Sequence, residues 1–371
     1  MSKKICIGCG IELQSDYPEK NGYLPVTKLE EKGEHYCQRC FKIKNYGKYM
    51  PVRLTRDDYR KVVQEEMANS QLAIAVFDII DFEGSFDDEI LDVLREKDSI
   101  VVINKLDLIP DEKHPSEVAN WVKIRLAEEG IAPLDIAIVS SKNGYGINGI
   151  FKKIKHFYPN GVEALVLGVT NVGKSSIVNR LLGLKKVTVS KYPGTTLKSV
   201  RNQIPHTKIT LVDTPGLIPE GRISDLVCEN CNLKMVPANE ISRKTFKVSK
   251  GRALIIGELL WFKVLNEDDI KPIFSLYAAK DVTFHETNEE RLEELLKTDR
   301  GDLLTPPCED CIHDYRKLEK TKHKVIVKTG EELVFKGLGW ISVKRGPLNI
   351  EITAPRKAGV IIRDAFIKPK R

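Results

Sequence analysis

The stretch Gly168-Val-Thr-Asn-Val-Gly-Lys-Ser-Ser176 decides the fold. It spells G-x-x-x-x-G-K-S, follows the apolar run Ala164-Leu-Val-Leu167, and opens onto Ile177-Val-Asn-Arg-Leu-Leu182, whose apolar spacing is helical. Strand, glycine-rich loop and helix in that order are the context that makes the pattern a P-loop. Gly168 and Gly173 let the backbone bend around an anion, so the N–H groups of the loop, Val172 among them, and of the helix start point at phosphates. Lys174 would neutralise the β- and γ-phosphates and Ser175 would offer its hydroxyl to Mg²⁺, with Ser176 on the same turn. The stretch predicts a nucleotide site.

Length and composition bound what surrounds it. A chain of 371 residues, 42% hydrophobic and 30% charged, predicts two or three soluble globular domains. The start Met-Ser-Lys-Lys-Ile-Cys lacks the apolar run of a signal peptide, and Leu72–Ile80 is too short to span a bilayer. A cytoplasmic monomer without membrane contact is expected. The net charge is +7, and residues 336–371, with nine Lys/Arg against two acids, carry +7 alone. A basic end of this kind suits phosphate backbones, or is an ordinary solvated tail. All eight cysteines fall in Cys-x-x-Cys pairs, which in a reducing compartment suggests metal ligands rather than disulfides.

Cys6, Cys9, Cys37 and Cys40 form two such knuckles near the start and can give four thiolates to a tetrahedral Zn²⁺. So short a segment has little apolar material, and metal binding would supply its folding free energy, on the order of 10–16 kcal/mol. Four thiolates leave no open position, so the ion is structural. Lysines and arginines interleave here with Tyr23, Tyr36, Phe41 and Tyr46, which either meets RNA or merely packs and solvates a small core. Cys228, Cys231, Cys308 and Cys311 are a possible second zinc set, with unpaired surface thiols as the alternative.

Between the finger and the P-loop, strands and helices alternate. Thr55 can cap a helix to about residue 69; Leu72–Phe77, Ser99–Ile103 and Asp135–Val139 read as buried strands, with helices at Glu89–Lys97 and Ser116–Glu129. Such alternation implies a mostly parallel sheet with ligands at its carboxyl edge. Past Leu217, one strand at Ala253–Phe262, another at Ile273–Tyr277, a helix at Asn288–Lys297 and several short strands predict a β-rich α+β domain.

The strand ends carry a resemblance to GTPases. Asn104-Lys-Leu-Asp107 resembles the N-K-x-D guanine motif and Ser140-Ser-Lys142 the S-A-K motif, with Ser141 in the middle. Asp213-Thr-Pro-Gly216 resembles D-x-x-G, and Pro193-Gly-Thr-Thr196 resembles switch I. Asp107 can accept from the guanine N1–H and exocyclic amine, Asn104 can meet the base edge, and the Lys105 stem can lie along its face. Asp213 can hold Mg²⁺ through water, the Gly216 N–H can meet the γ-phosphate, and Thr196, or else Thr195, can close the Mg²⁺ shell. GTP and GDP are the expected ligands.

The motif order is the departure. N-K-x-D and S-A-K precede the P-loop, switch I and D-x-x-G, so the domain is circularly permuted, and the following domain attaches directly to switch II. Permuted order, a four-cysteine finger and Asp78-Ile-Ile-Asp-Phe-Glu-Gly-Ser85 together resemble the YqeH family of bacterial ribosome-assembly GTPases. That resemblance implies a finger at 1–50, a permuted α/β GTPase domain at 51–222 and a β-rich domain at 223–371. It implies action on the small ribosomal subunit, with 16S rRNA or ribosomal proteins as partners. Leu217 stands where other GTPases carry a water-orienting Gln, so slow hydrolysis is expected. Similar GTPases use an Asn at the position of Asn171 to help hold K⁺, which makes Asn171, Lys174, Thr196 and Gly216 the candidate catalytic set; Asn171 bonding only within its loop is the alternative. An RNA-binding scaffold with a structural nucleotide site is the alternative function.

Overall fold

In the computed structural model the described residues are 4–18, 20–31, 33, 35–46, 55–109, 114–183, 198–237, 240–267, 269–297 and 303–366. They divide into two compact units: residues 1–79, 85–107 and 114–219, and residues 80–84, 108–113 and 220–371. The finger belongs to the first of these units.

The first unit is built on six strands: β1 (Leu72–Asp78), β2 (Ser99–Asn104), β3 (Asp135–Ile138), β4 (Val162–Leu167), β5 (Val200–Gln203) and β6 (Ile209–Asp213). Their spatial order is β3-β2-β1-β4-β6-β5. Every pairing is parallel except β5 with β6. β1 and β2 are buried along their whole length, as continuous apolar runs covered on both faces must be. The pairing of Leu72 with Ala164 sets β4 beside β1, so the chain rises through the sheet centre twice, and both loops leave from the same edge. Helix Arg56–Met67 starts where its capping box dictates. The Thr55 side chain accepts from the Asp58 N–H, and the Asp58 carboxylate accepts from the Thr55 N–H, each at 3.1 Å.

The finger folds around its cysteines. Cys6, Cys9, Cys37 and Cys40 are buried together with Leu13 and Leu24 in a small core of their own. Within the same unit the Lys198 N–H donates to the Cys9 carbonyl at 3.1 Å.

The second unit holds ten strands in two five-stranded antiparallel sheets. In chain order they are β7 (Ile241–Lys247), β8 (Arg252–Ile256), β9 (Leu260–Val264), β10 (Ile273–Ala279), β11 (Phe284–Asn288), β12 (Lys320–Val327), β13 (Glu331–Phe335), β14 (Gly339–Arg345), β15 (Leu348–Pro355) and β16 (Val360–Asp364). The sheets run β16-β13-β14-β10-β7 and β11-β8-β9-β15-β12. Their inner faces share one core, in which Phe274 of β10 lies 5.6 Å from Phe246 and 6.0 Å from Phe262 between ring centroids. The single strand expected over Ala253–Phe262 is instead the β8–β9 hairpin. Gly257 turns it with φ 54°, and a Cβ there would strike the Pro306 carbonyl oxygen at 2.3 Å.

Residues 80–84, which follow β1 in the chain, pack in this second unit. Asp81 pairs with Arg222 at 2.9 Å and accepts from the Gly337 N–H at 2.9 Å. Glu83 and Glu332 flank Arg363 at 3.5 and 2.9 Å, all three almost wholly buried. Among the described residues no helix is long and apolar enough to cross a membrane.

Candidate nucleotide site

The loops at the carboxyl ends of β1, β2, β3, β4 and β6 bring the sequence motifs together in the first unit. Gly173 caps helix Lys174–Leu181 in the left-handed region, φ 94°. A Cβ on it would lie 2.3 Å from Asn104 Nδ2, so glycine is needed for the N-K-L-D and P-loop segments to touch. Asn104 is fully buried and its Nδ2 donates to the Val172 carbonyl at 2.8 Å and to Ser141 Oγ at 3.0 Å, while its Oδ1 accepts from the Ser141 N–H at 2.8 Å. Asn104 therefore stitches three motifs. Ser140 Oγ donates to Asp107, which fixes the carboxylate expected to read guanine. Lys105, at φ 68°, pairs its amine with Asp78 at the end of β1. Lys142 and Ser141 present their carbonyls to the guanidinium of Arg180, a residue the sequence reading passed over. An arginine on an amphipathic helix reads as solvated, and only the return of the S-S-K loop onto that helix gives it work.

At the phosphate end, Lys174 Nζ donates to the Gly168 and Val169 carbonyls at 2.7 and 3.0 Å. Ser175 and Ser176 occupy the first turn of the same helix. Ser175 Oγ donates to Asp213 Oδ2 at 3.2 Å. Asp213 is buried, and its Oδ1 has no hydrogen-bond partner among the described residues. Burial pushes the carboxyl up to about 6, while the Lys174 charge and the Ser175 hydroxyl hold it down. A desolvated, half-satisfied carboxylate beside a serine hydroxyl is a donor set that fits Mg²⁺ and its waters. Gly216 approaches so closely that a Cβ would meet Thr170 at 3.0 Å and Lys174 Nζ at 3.2 Å. Leu217 is 1% exposed and pairs its backbone with the P-loop: the Thr170 N–H donates to its carbonyl at 2.8 Å. Asn171 sits at φ 67°, and among the described residues no hydrogen bond engages its side chain. Thr195 and Thr196 lie outside the described residues.

Both four-cysteine sets close up. In each, one ligand atom from every cysteine lies within 4.8 Å of the others. In the finger, Cys9 and Cys37 Sγ are 3.8 Å apart, matching the edge of about 3.8 Å that a tetrahedron of Zn–S bonds near 2.3 Å requires. Cys6 Sγ accepts from the Cys37 and Gly8 N–H groups at 3.2 and 3.4 Å, as a thiolate held by a knuckle would. The residues fit zinc.

A P-loop after β4, an N-K-L-D segment after β2 and a D-T-P-G segment whose aspartate is buried, in permuted order, define the class: a circularly permuted P-loop GTPase. Family models agree, one described as 50S ribosome-binding GTPase matching residues 163–251, and one described as YqeH-like, C-terminal, matching residues 271–366. The protein YqeH of Bacillus subtilis is 30% identical over 99% of this chain and 100% of its own. The chain belongs to the YqeH family. It is also similar to NO-associated protein 1 of Arabidopsis thaliana, 24% identical over 92% of this chain and 70% of that protein. GTPase Der of Caldanaerobacter subterraneus subsp. tengcongensis is 36% identical over 42% of this chain and 36% of its own.

Proposed function

We propose that this GTPase is an assembly factor of the small ribosomal subunit that binds and releases its target according to the nucleotide it holds. The observation that carries the reading is the convergence of Asn104, Asp107, Ser140, Lys174 and Asp213 at one sheet edge, with the D-x-x-G motif spliced to the second unit. Asp107 selects guanine by accepting from its N1–H and exocyclic amine. Asn104 acts through the loops it joins, and Lys105 flanks the base. The P-loop N–H groups and Lys174 gather the phosphates, displacing the Gly168 and Val169 carbonyls from the lysine. Ser175, Asp213 and Thr196 hold Mg²⁺, which draws charge from the phosphates as the terminal bond breaks.

Hydrolysis is slow in the free protein, because Leu217 is apolar and buried where a water-orienting amide would serve. Asn171, whose side chain has no hydrogen bond among the described residues, takes part in a K⁺ site that adds positive charge over the phosphates. Gly216 responds to the γ-phosphate and passes its shift along the covalent path to residue 220 and beyond. Exposed Lys322 and Lys324 on β12 and Arg243 and Lys244 on β7 lie on edge strands suited to rRNA phosphates. Turnover measured in K⁺ and in Na⁺, with and without 30S subunits, tests the reading. Stimulation by both K⁺ and subunits is expected. Equal rates in the two salts would remove the K⁺ role, and indifference to 30S subunits would favour a scaffold with a structural nucleotide.

A further inference from the structure

We propose that Cys228, Cys231, Cys308 and Cys311 bind a second zinc ion, which clamps two helices of the second unit, Glu229–Met235 and Glu309–Arg316, to each other. The two knuckles are 77 positions apart from Cys231 to Cys308, yet each is delivered independently to the same place. The first opens helix Glu229–Met235, with Cys228 as its N-terminal cap, and the second opens helix Glu309–Arg316, with Cys308 in the same role. Met235 and Ile223 root the first knuckle in the sandwich core. The second hangs on the β8–β9 turn, where the Glu258 N–H donates to the Pro306 carbonyl at 2.8 Å and the Tyr315 hydroxyl to the Leu259 carbonyl at 2.8 Å.

The spacing of the sulfurs selects the chemistry. Cys228 to Cys308 is 3.5 Å, Cys231 to Cys311 is 3.7 Å and Cys308 to Cys311 is 3.9 Å. These bracket the edge of about 3.8 Å of a ZnS₄ tetrahedron and exceed the roughly 2.05 Å of a disulfide. The Cys308 N–H donates to Cys231 Sγ at 3.1 Å, so the second knuckle already supplies a hydrogen bond to a sulfur of the first. Four thiols leave no open position, so the ion is structural. Cys231 and Cys311 are buried, while Cys228 and Cys308 stay partly open to solvent, which gives zinc an entry path.

This site is independent of the nucleotide reading: it lies wholly in the second unit and survives any revision of the ligand at the P-loop. Its consequence for the fold is local. The segment from Arg222 to Met235 is already held by the Asp81–Arg222 ion pair, by Ile223, Leu226, Val227 and Met235 against the core and by hydrogen bonds, and coordination adds a cross-link to a partner helix far along the chain.

Atomic spectroscopy of the reduced, full-length protein tests the site. Two zinc ions per chain are expected, and Cys231→Ser/Cys308→Ser should retain one while still binding GTP. Should that variant fail to fold, the parent decides: the thiols of Cys228, Cys231, Cys308 and Cys311 should resist alkylation together and become reactive together when a chelator removes zinc, as mapped by peptide mass. The proposal is overturned if the double variant holds as much zinc as the parent, if the four thiols alkylate without chelator, if the metal is iron, or if the peptides are disulfide-linked.

Discussion

Asp213 shows how a single side chain is prepared for a ligand. Its carboxyl titrates near 6 in the fold, against an ordinary value of 3.8, because burial disfavours the anion more than Lys174 and Ser175 favour it. Above pH 6 the charged form therefore destabilises the nucleotide-free protein, by up to about 3 kcal/mol, and the penalty fades as pH falls from about 6 toward 4. Asp213→Asn should raise the melting temperature of the nucleotide-free protein at pH 8, lose most of that advantage by pH 4.5, and weaken Mg²⁺-dependent GTP binding. A melting-temperature gain that is the same at both pH values would show that the buried charge is not its source. Asn104 makes the complementary point. Its motif marked it as a base contact, and its three hydrogen bonds show a residue whose first task is to join loops.

At the scale of elements, legibility followed chemistry. β1 and β2 were readable as unbroken apolar runs, and the loops after them because phosphate and guanine binding demand particular residues, whereas β5, short and carrying Arg201-Asn-Gln203 at the sheet edge, went unread. Switch I was readable only as a motif, since Thr195 and Thr196 lie outside the described residues. In the second unit the β8–β9 hairpin was hidden, because its turn contains the buried Leu259 and only one glycine. β7 was missed because Arg243-Lys-Thr245 is polar and exposed at a sheet edge, where no apolar alternation marks a strand. The helices at Glu229–Met235 and Glu309–Arg316 are too short for a periodic signal, and their cysteines were the visible trace.

The Glu83–Arg363–Glu332 cluster was equally hidden, since its partners come from three distant segments. Replacing Arg363 by Ala would strand two buried carboxylates and should cost about 3–5 kcal/mol of second-unit stability, readable in urea denaturation. A loss below about 1 kcal/mol would mean that the carboxylates find water or protons instead.

For the molecule as a whole, the finger is packed as part of the nucleotide-binding unit rather than as an appendage. Cys9→Ser should lower the zinc content by one ion per chain. It should also speed hydrogen exchange at Val200–Gln203, the strand that follows Lys198, although no residue of that strand ligates metal. Unchanged exchange there would confine the finger's influence to its own small core. The Lys198 N–H bond to the Cys9 carbonyl is the reason to expect the effect. It ties residue 198, two positions past the Pro193–Thr196 motif in the chain, to a knuckle of the finger. Whatever grips the finger would therefore also pull, through that hydrogen bond, on β5, an outermost strand of the nucleotide-binding sheet.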